Sequence, residues 1–123
     1  MLGHLSFGVD DLDRSTAFYD AILAPLGYVR VWTSSGAAGY GEPGGGDRLA
    51  LFARPGAVVA PGPGFHLAFD APSREAVDRF HAAALATGGS DQGAPGVRMH
   101  YSATYYAAFV CDVDGYKLEA VHQ

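Results

Sequence analysis

Apolar and polar residues alternate with a period of two in two stretches that nearly repeat each other, Gly3-His4-Leu5-Ser6-Phe7-Gly8-Val9 and Phe65-His66-Leu67-Ala68-Phe69-Asp70. Such alternation predicts strands with one apolar face. Leu5, Phe7 and Val9 share that face in the first, and Leu67 and Phe69 in the second. His4, Ser6 and Gly8, and then His66 and Ala68, fall on the opposite side. Each His-Leu-x-Phe opening thus carries an imidazole on the face turned away from the expected helices, where a ligand or a metal has room.

After each strand the period becomes helical. Asp10 to Asp13 supply capping side chains for a helix over 11–23, with Phe18, Ala21, Ile22 and Leu26 inward and Arg14, Ser15 and Asp20 in water. Pro25 and Gly27 end it. Strands are predicted over 28–33, 36–40 and 48–53 from their β-branched and aromatic content. Residues 39–44 match a G-x-G-x-x-G string. Pro43 and the run Gly44-Gly45-Gly46 block the helix that a dinucleotide site needs there, so a turn between strands is expected. In the second half Ser73 caps a helix to about residue 87, with Val77, Phe80, Ala84 and Leu85 inward, and Gly88-Gly89 stop it. Strands follow over 97–101, 105–111 and 116–122, the last two joined by an Asp112-Val113-Asp114-Gly115 hairpin turn.

A shift of 62 residues lays His4 on His66, Leu5 on Leu67, Phe7 on Phe69, Phe18 on Phe80, Leu23 on Leu85 and Gly27 on Gly89 without a gap. This indicates an internal duplication. The expected fold class is α+β, with two paired βαβββ modules forming a curved, partly closed mixed sheet and the helices on its outer face. The expected organisation is one domain over 1–123, built from modules 1–54 and 64–123 joined by a Pro/Gly linker over 55–63.

At 123 residues the chain is long enough for one domain and too short for two independent ones. Thirteen acidic residues against eight basic ones, with no Lys/Arg cluster, exclude nucleic acid and anionic membrane as expected partners. No run of 18 apolar residues and no secretory leader are evident, and Cys111 is the only cysteine. A cytoplasmic location is therefore expected.

In the last strand alternation puts Lys117, Glu119 and Val121 opposite Leu118 and Ala120. Glu119 then shares a face type with His4 and His66. Two imidazoles and a carboxylate suit divalent Fe, Mn, Zn or Ni, with positions left for water or substrate. A strand histidine is also often a hydrogen-bonded structural residue, and duplication copies structural residues as readily as ligands. From the residues alone both readings stay open. A metal-bound substrate would need a proton acceptor, and His100 is the candidate, two residues from Arg98 and so on the same face of a predicted strand. Arg98 suits an anionic substrate, and Tyr101, Tyr105 and Tyr106 offer hydrogen bonds or stacking. Tyr105 and Tyr106 point oppositely, so at least one should pack in the sheet. His81 is expected to face solvent, His122 has the wrong parity to join Glu119, and Cys111 is expected as a small buried hydrophobe.

The duplication, the paired His-Leu-x-Phe openings, Phe18-Tyr19 and the ending Cys111-Asp-Val-Asp-Gly-Tyr-Lys-Leu-Glu119 together resemble the vicinal oxygen chelate superfamily. That group holds glyoxalase I, extradiol dioxygenases, fosfomycin-resistance thiol transferases and bleomycin-resistance proteins. The resemblance implies that His4, His66 and Glu119 are metal ligands. It also implies a homodimer, because small members share sites across a subunit interface. Laying Leu49 on Leu118 puts Ala50 where glyoxalase I carries a second glutamate, which disfavours methylglyoxal–glutathione chemistry. The expected function is that of a divalent-metal-dependent enzyme, a lyase/isomerase or ring-cleaving dioxygenase, acting on a small vicinal-oxygen compound. In it Glu119 and His100 are catalytic, and Arg98, Tyr101, Tyr105 and Tyr106 bind substrate. The alternative is a non-catalytic module that binds a small molecule or drug.

Overall fold

Two short side chains start the two helices. Asp11 accepts from the Arg14 amide at 3.1 Å and opens α1 (Leu12–Leu23); Ser73 accepts from the Ala76 amide at 3.0 Å and opens α2 (Arg74–Ala86). A 3-10 turn over Ala24–Leu26, with Pro25 in its first turn, carries α1 into Gly27 at φ 91°, the left-handed conformation that ends a helix at least cost when no Cβ is present. The computed structural model describes all 123 residues. Its strands are β1 (Leu5–Val9), β2 (Val29–Thr33), β3 (Ala37–Gly41), β4 (Leu49–Ala53), β5 (Leu67–Asp70), β6 (Ser90–Val97), β7 (Tyr106–Cys111) and β8 (Lys117–His122). No helix is long and apolar enough to cross a membrane.

The strands form two four-stranded mixed sheets that do not close on each other, ordered β1-β4-β3-β2 and β5-β8-β7-β6. The order is the same in both halves. So is the register: β1 runs parallel to β4 with Leu5 beside Leu49, and β5 runs parallel to β8 with Leu67 beside Leu118. One apolar core of 20 residues takes Val9, Leu49 and Leu51 from the first sheet, Val110, Leu118 and Ala120 from the second, and Phe18, Tyr19, Val77 and Phe80 from the two helices packed against each other. The duplicated βαβββ reading is thus the architecture observed. The helices cover only one face of each sheet, and His4 and His66 lie at the opposite faces.

Three details depart from the sequence pattern. The strand expected over 97–101 is β6, Ser90–Val97. Asp, Gly and Pro disguise it, and they are tolerated because β6 is an edge strand with irregular register around Gly93. Ser15, expected in water, is fully buried beside Tyr19, because the buried stripe of α1 is wider than its apolar residues alone indicate. Leu85 is 45% exposed, since the buried stripe of α2 runs through Ala76, Val77, Phe80 and Ala84 and Leu85 lies about 100° further round.

The halves are also tied by a polar seam. Asp112 opens the turn between β7 and β8 and is 5% exposed. Its carboxylate accepts from the Asp114 and Tyr116 amides, both at 2.9 Å, and from the Tyr19 hydroxyl of α1 at 2.5 Å. Around it Arg14 reaches Asp114 at 3.3 Å, and Tyr116 donates to the Gly8 carbonyl of β1 at 2.8 Å. Burial pushes the Asp112 carboxyl above its ordinary range, and the three donors only partly offset this. A raised folded-state pKa contributes stability that is full below the unfolded value and is lost as pH rises through the folded one. Relative to Asp112→Asn, which cannot titrate, the native chain should therefore lose stability as pH climbs from about 4. Urea midpoints of both proteins at successive pH values check this, and a difference independent of pH would contradict it.

Candidate functional site

The parallel pairing of β5 with β8 sets Ala68 beside Glu119, and the antiparallel pairing of β7 with β8 sets Phe109 on its other side. Glu119 therefore stands on the open face of the second sheet, yet it is only 1% exposed. Two groups hold it. Tyr105, one residue before β7, donates its hydroxyl to Oε2 at 2.6 Å, and His66, one residue before β5, places Nε2 3.0 Å from Oε1. Burial, and next the bond to Glu119, push the Tyr105 phenol well above its ordinary range, so it stays a donor. The His66 ring meets Phe109 edge-on at 5.8 Å.

Beside this pair lies a cavity of about 320 Å³ lined by His66, Arg98, His100, Tyr101, Phe109 and Lys117 among others. Arg98 and His100 reach it from a turn rather than from a shared strand face: the Tyr101 amide bonds back to the Arg98 carbonyl at 2.9 Å. The Arg98 guanidinium donates to the carbonyls of Ala94 at 2.8 Å and Gly96 at 3.2 Å and lies 5.5 Å from the centre of the Phe109 ring. Tyr101 packs at a tilt against His100 at 4.2 Å and Tyr105 at 4.8 Å, an aromatic chain that leads from the cavity to Glu119. Of the five histidines, His4, His66, His81 and His122 each contact a carboxylate or a carbonyl, and only His100 has no such partner.

Other residues lie elsewhere. Tyr106 faces α2 and donates to Asp78 at 2.6 Å, on the side of the sheet opposite the cavity, so strand parity removes it from the substrate-facing set. His81 is not solvent-facing: its side chain is 12% exposed and bonds Asp91 at 2.9 Å. His122 bonds the Ala71 carbonyl, apart from Glu119. Cys111 is half-buried beside Lys117 rather than buried.

His4 is not brought to His66 and Glu119 within one chain, and no three His, Cys, Asp or Glu side chains converge there. Each histidine belongs to the open face of its own sheet, and the sheets are separate. His4 Nε2 lies 2.5 Å from Asp47 Oδ2, and that bond, chiefly, holds the Asp47 carboxyl below its ordinary range. His4 lines a second cavity, of about 290 Å³, between the start of β1 and the free edge of β5. In the first sheet Ala50 holds the position that Glu119 holds in the second, paired with Ser6 as Glu119 is with Ala68. Trp32 covers that region, its indole lying so close over Gly39 that a Cβ there would collide with it.

The sequence pattern missed Asp47, Phe109 and Lys117. Asp47 follows a glycine run that signals only a turn. Lys117 and Phe109 were findable, because Lys117 has the parity of Glu119 and counting back through the hairpin sets Phe109 opposite it.

A family profile described as Glyoxalase/Bleomycin resistance protein/Dioxygenase superfamily matches residues 1–120. A crystal structure of a glyoxalase/bleomycin resistance protein from Albidiferax ferrireducens T118 is 35% identical, covering 98% of this chain and 97% of that one at a TM-score of 0.84. A glyoxalase-related enzyme from Fulvimarina pelagi is 19% identical over 100% of this chain and 88% of its own, with a TM-score of 0.76. The fosfomycin resistance protein FosX from Mesorhizobium loti is 18% identical over 98% and 89%, with a TM-score of 0.69. The last two share the fold. No curated protein matches the chain. With register and core duplicated in both halves, and a match that runs nearly from end to end, the chain belongs to the glyoxalase/bleomycin resistance protein/dioxygenase superfamily.

Proposed function

We propose that this protein is a cytoplasmic divalent-metal-dependent enzyme, a lyase/isomerase or ring-cleaving dioxygenase, acting on a small vicinal-oxygen compound. The observation that carries the reading is the His66–Glu119 pair, an imidazole nitrogen 3.0 Å from the oxygen of a carboxylate that is almost wholly removed from water. One nitrogen and one oxygen donor side by side fit divalent Fe, Mn, Zn or Ni, and they are too few for a complete protein site. His66 and Glu119 would hold the ion, and His4 would come from a second copy of the chain in a homodimer, since within one chain it is bonded to Asp47 and does not converge with them. When bound, the ion supplies Lewis-acid stabilisation of negative charge on substrate oxygens.

The chain's own residues do the rest. Tyr105 fixes the Glu119 carboxylate through Oε2, leaving Oε1 on the His66 side. His100 accepts the substrate proton: it is the imidazole without a partner, and it lines the cavity beside His66. Tyr101 steadies the His100 ring by a tilted aromatic contact, and Phe109 gives the cavity an apolar wall. The missing counterpart of Glu119 at Ala50 argues against methylglyoxal–glutathione chemistry. A second reading, a non-catalytic module for a small molecule or drug, is favoured by the Tyr101 and Phe109 wall of the cavity.

Metal titration of the purified protein separates the two. His66→Ala and Glu119→Gln should each weaken metal affinity by more than about 100-fold, and Tyr105→Phe, which only releases the carboxylate, by about 10-fold. A binder would keep its ligand when those side chains go. His4→Ala chains mixed with Glu119→Gln chains should regain metal binding, because the mixed dimer holds one complete site; a site made within one chain would regain none. If metal is bound, oxygen consumption with catechols identifies a dioxygenase, and its absence leaves lyase/isomerase.

A further inference from the structure

We infer that His81, on the helix side of the second sheet, is a positioning residue for the cavity on the other side: through Asp91 it fixes the bulged stretch of β6 that forms one wall of that cavity. β6 is an edge strand, and its register against β7 slips between Asp91 and Gly93 and again between Gly93 and Gly96. Between those slips only Gly93 has a partner opposite it, Phe109. Side chains hold what the ladder leaves loose. Asp91 Oδ1 accepts from the Gly93 amide at 2.9 Å, and from the other end Arg98 donates to the carbonyls of Ala94 and Gly96. Gly93 is packed against the cavity's own residues, so that a Cβ on it would come within 3.1 Å of the Arg98 guanidinium and 3.2 Å of the Phe109 side chain. Where Gly93 stands therefore limits where Arg98 and Phe109 can stand. The same Asp91 oxygen is bonded to His81 Nε2 at 2.9 Å. The Asp91 side chain is 55% exposed, and the His81 bond, chiefly, holds its carboxyl below the ordinary range. His81, held in α2, is the fixed point to which this wall is referred.

Two observations separate this from a clasp that only holds an edge strand down. The bond does not end at Asp91, because one oxygen serves both the imidazole and the Gly93 amide and so carries the constraint into the bulge. The device also recurs in the first half with different chemistry. There Asp20 of α1 accepts from Arg30 of the edge strand β2 at 3.1 Å, and β2 slips register between Arg30 and Trp32. These pairs are not copies of each other, since the shift of 62 residues lays His81 on Tyr19 and Asp91 on Val29. Past the slip β2 sets Trp32 opposite Gly39, whereas β6 sets Gly93 opposite Phe109. In each half a helix anchors its edge strand just before the bulge that decides which residue stands large on the open face, and bulges beside sites commonly re-aim side chains in this way. In the second half Gln92, Gly93 and Phe109 line the cavity next to His66. That this wall belongs to a ligand site rests on the function proposed above; the clasp itself does not.

Amide hydrogen exchange and NMR of the full-length protein, alone and then with Zn²⁺ and catechol added, test the inference. His81→Ala should speed exchange of the Gly93 amide by about tenfold or more and shift the Arg98 signals, while the paired amides of β7 and β8 stay protected. Asp91→Ala should do the same from an exposed position, and Asp91→Asn, which keeps the accepting oxygen, should behave as the native chain. In the Zn²⁺-loaded protein His81→Ala should weaken catechol binding by about tenfold and leave Zn²⁺ affinity unchanged. Catechol should in turn slow Gly93 exchange in the native protein, because coupling between two places is mutual. A clasp that only stabilises the fold would not move catechol affinity. Unchanged Gly93 exchange and Arg98 signals in both alanine variants, or equal catechol affinity in the native and His81→Ala proteins, overturns the inference and leaves the enzyme reading standing. Absence of Zn²⁺ binding by the native protein removes the enzyme reading instead, and Gly93 exchange then decides the clasp by itself.

Discussion

A carboxylate almost without contact with water is the constraint around which the second half of the chain is arranged. Left alone, such a charge is costly to bury, and the cost falls only if donors meet it. Glu119 meets two, a phenol from the start of β7 and an imidazole from the start of β5. Both arrive because β8 lies between those strands, the central position that a parallel pairing on one side and an antiparallel pairing on the other create. The same topology in the first half delivers Ala50 to the matching place, and nothing there needs to be neutralised. The two halves share a backbone plan and differ in whether it carries charge.

Much of this was legible in the sequence, for reasons that differ by element. Period-two alternation at His4 and His66 fixes which side of each strand faces the core, since a one-residue slip would expose Leu5 or Leu67. Helix caps at Asp11 and Ser73 and the Asp112–Gly115 turn are local chemistry, and local chemistry reads well from a string. β6 reads poorly: it carries Asp, Gly and Pro because one side of it needs no partner. Distance is least legible of all. Alternation told that His4 and Glu119 share a type of face, but parity does not say which sheet a face belongs to, and the separation of the sheets decides that His4 pairs with Asp47 instead.

The seam between the halves explains why two modules with separate sheets still share a single core. Tyr19 in α1 and Asp112 in the β7–β8 turn are bonded across it, and Tyr116 reaches back to the backbone of β1. These contacts fix how one half sits against the other while leaving both open faces unobstructed. Rigid placement of the helices between the halves therefore costs neither face its accessibility.

Trp32 is the only tryptophan in the chain. Its indole rests on Gly39, on the open face that bears His4, and remains half-buried there. The chain thus carries its one indole fluorophore on the first half and none on the second. Any molecule that comes to cover the His4 face changes the polarity around that one indole, and its emission reports the event without a label.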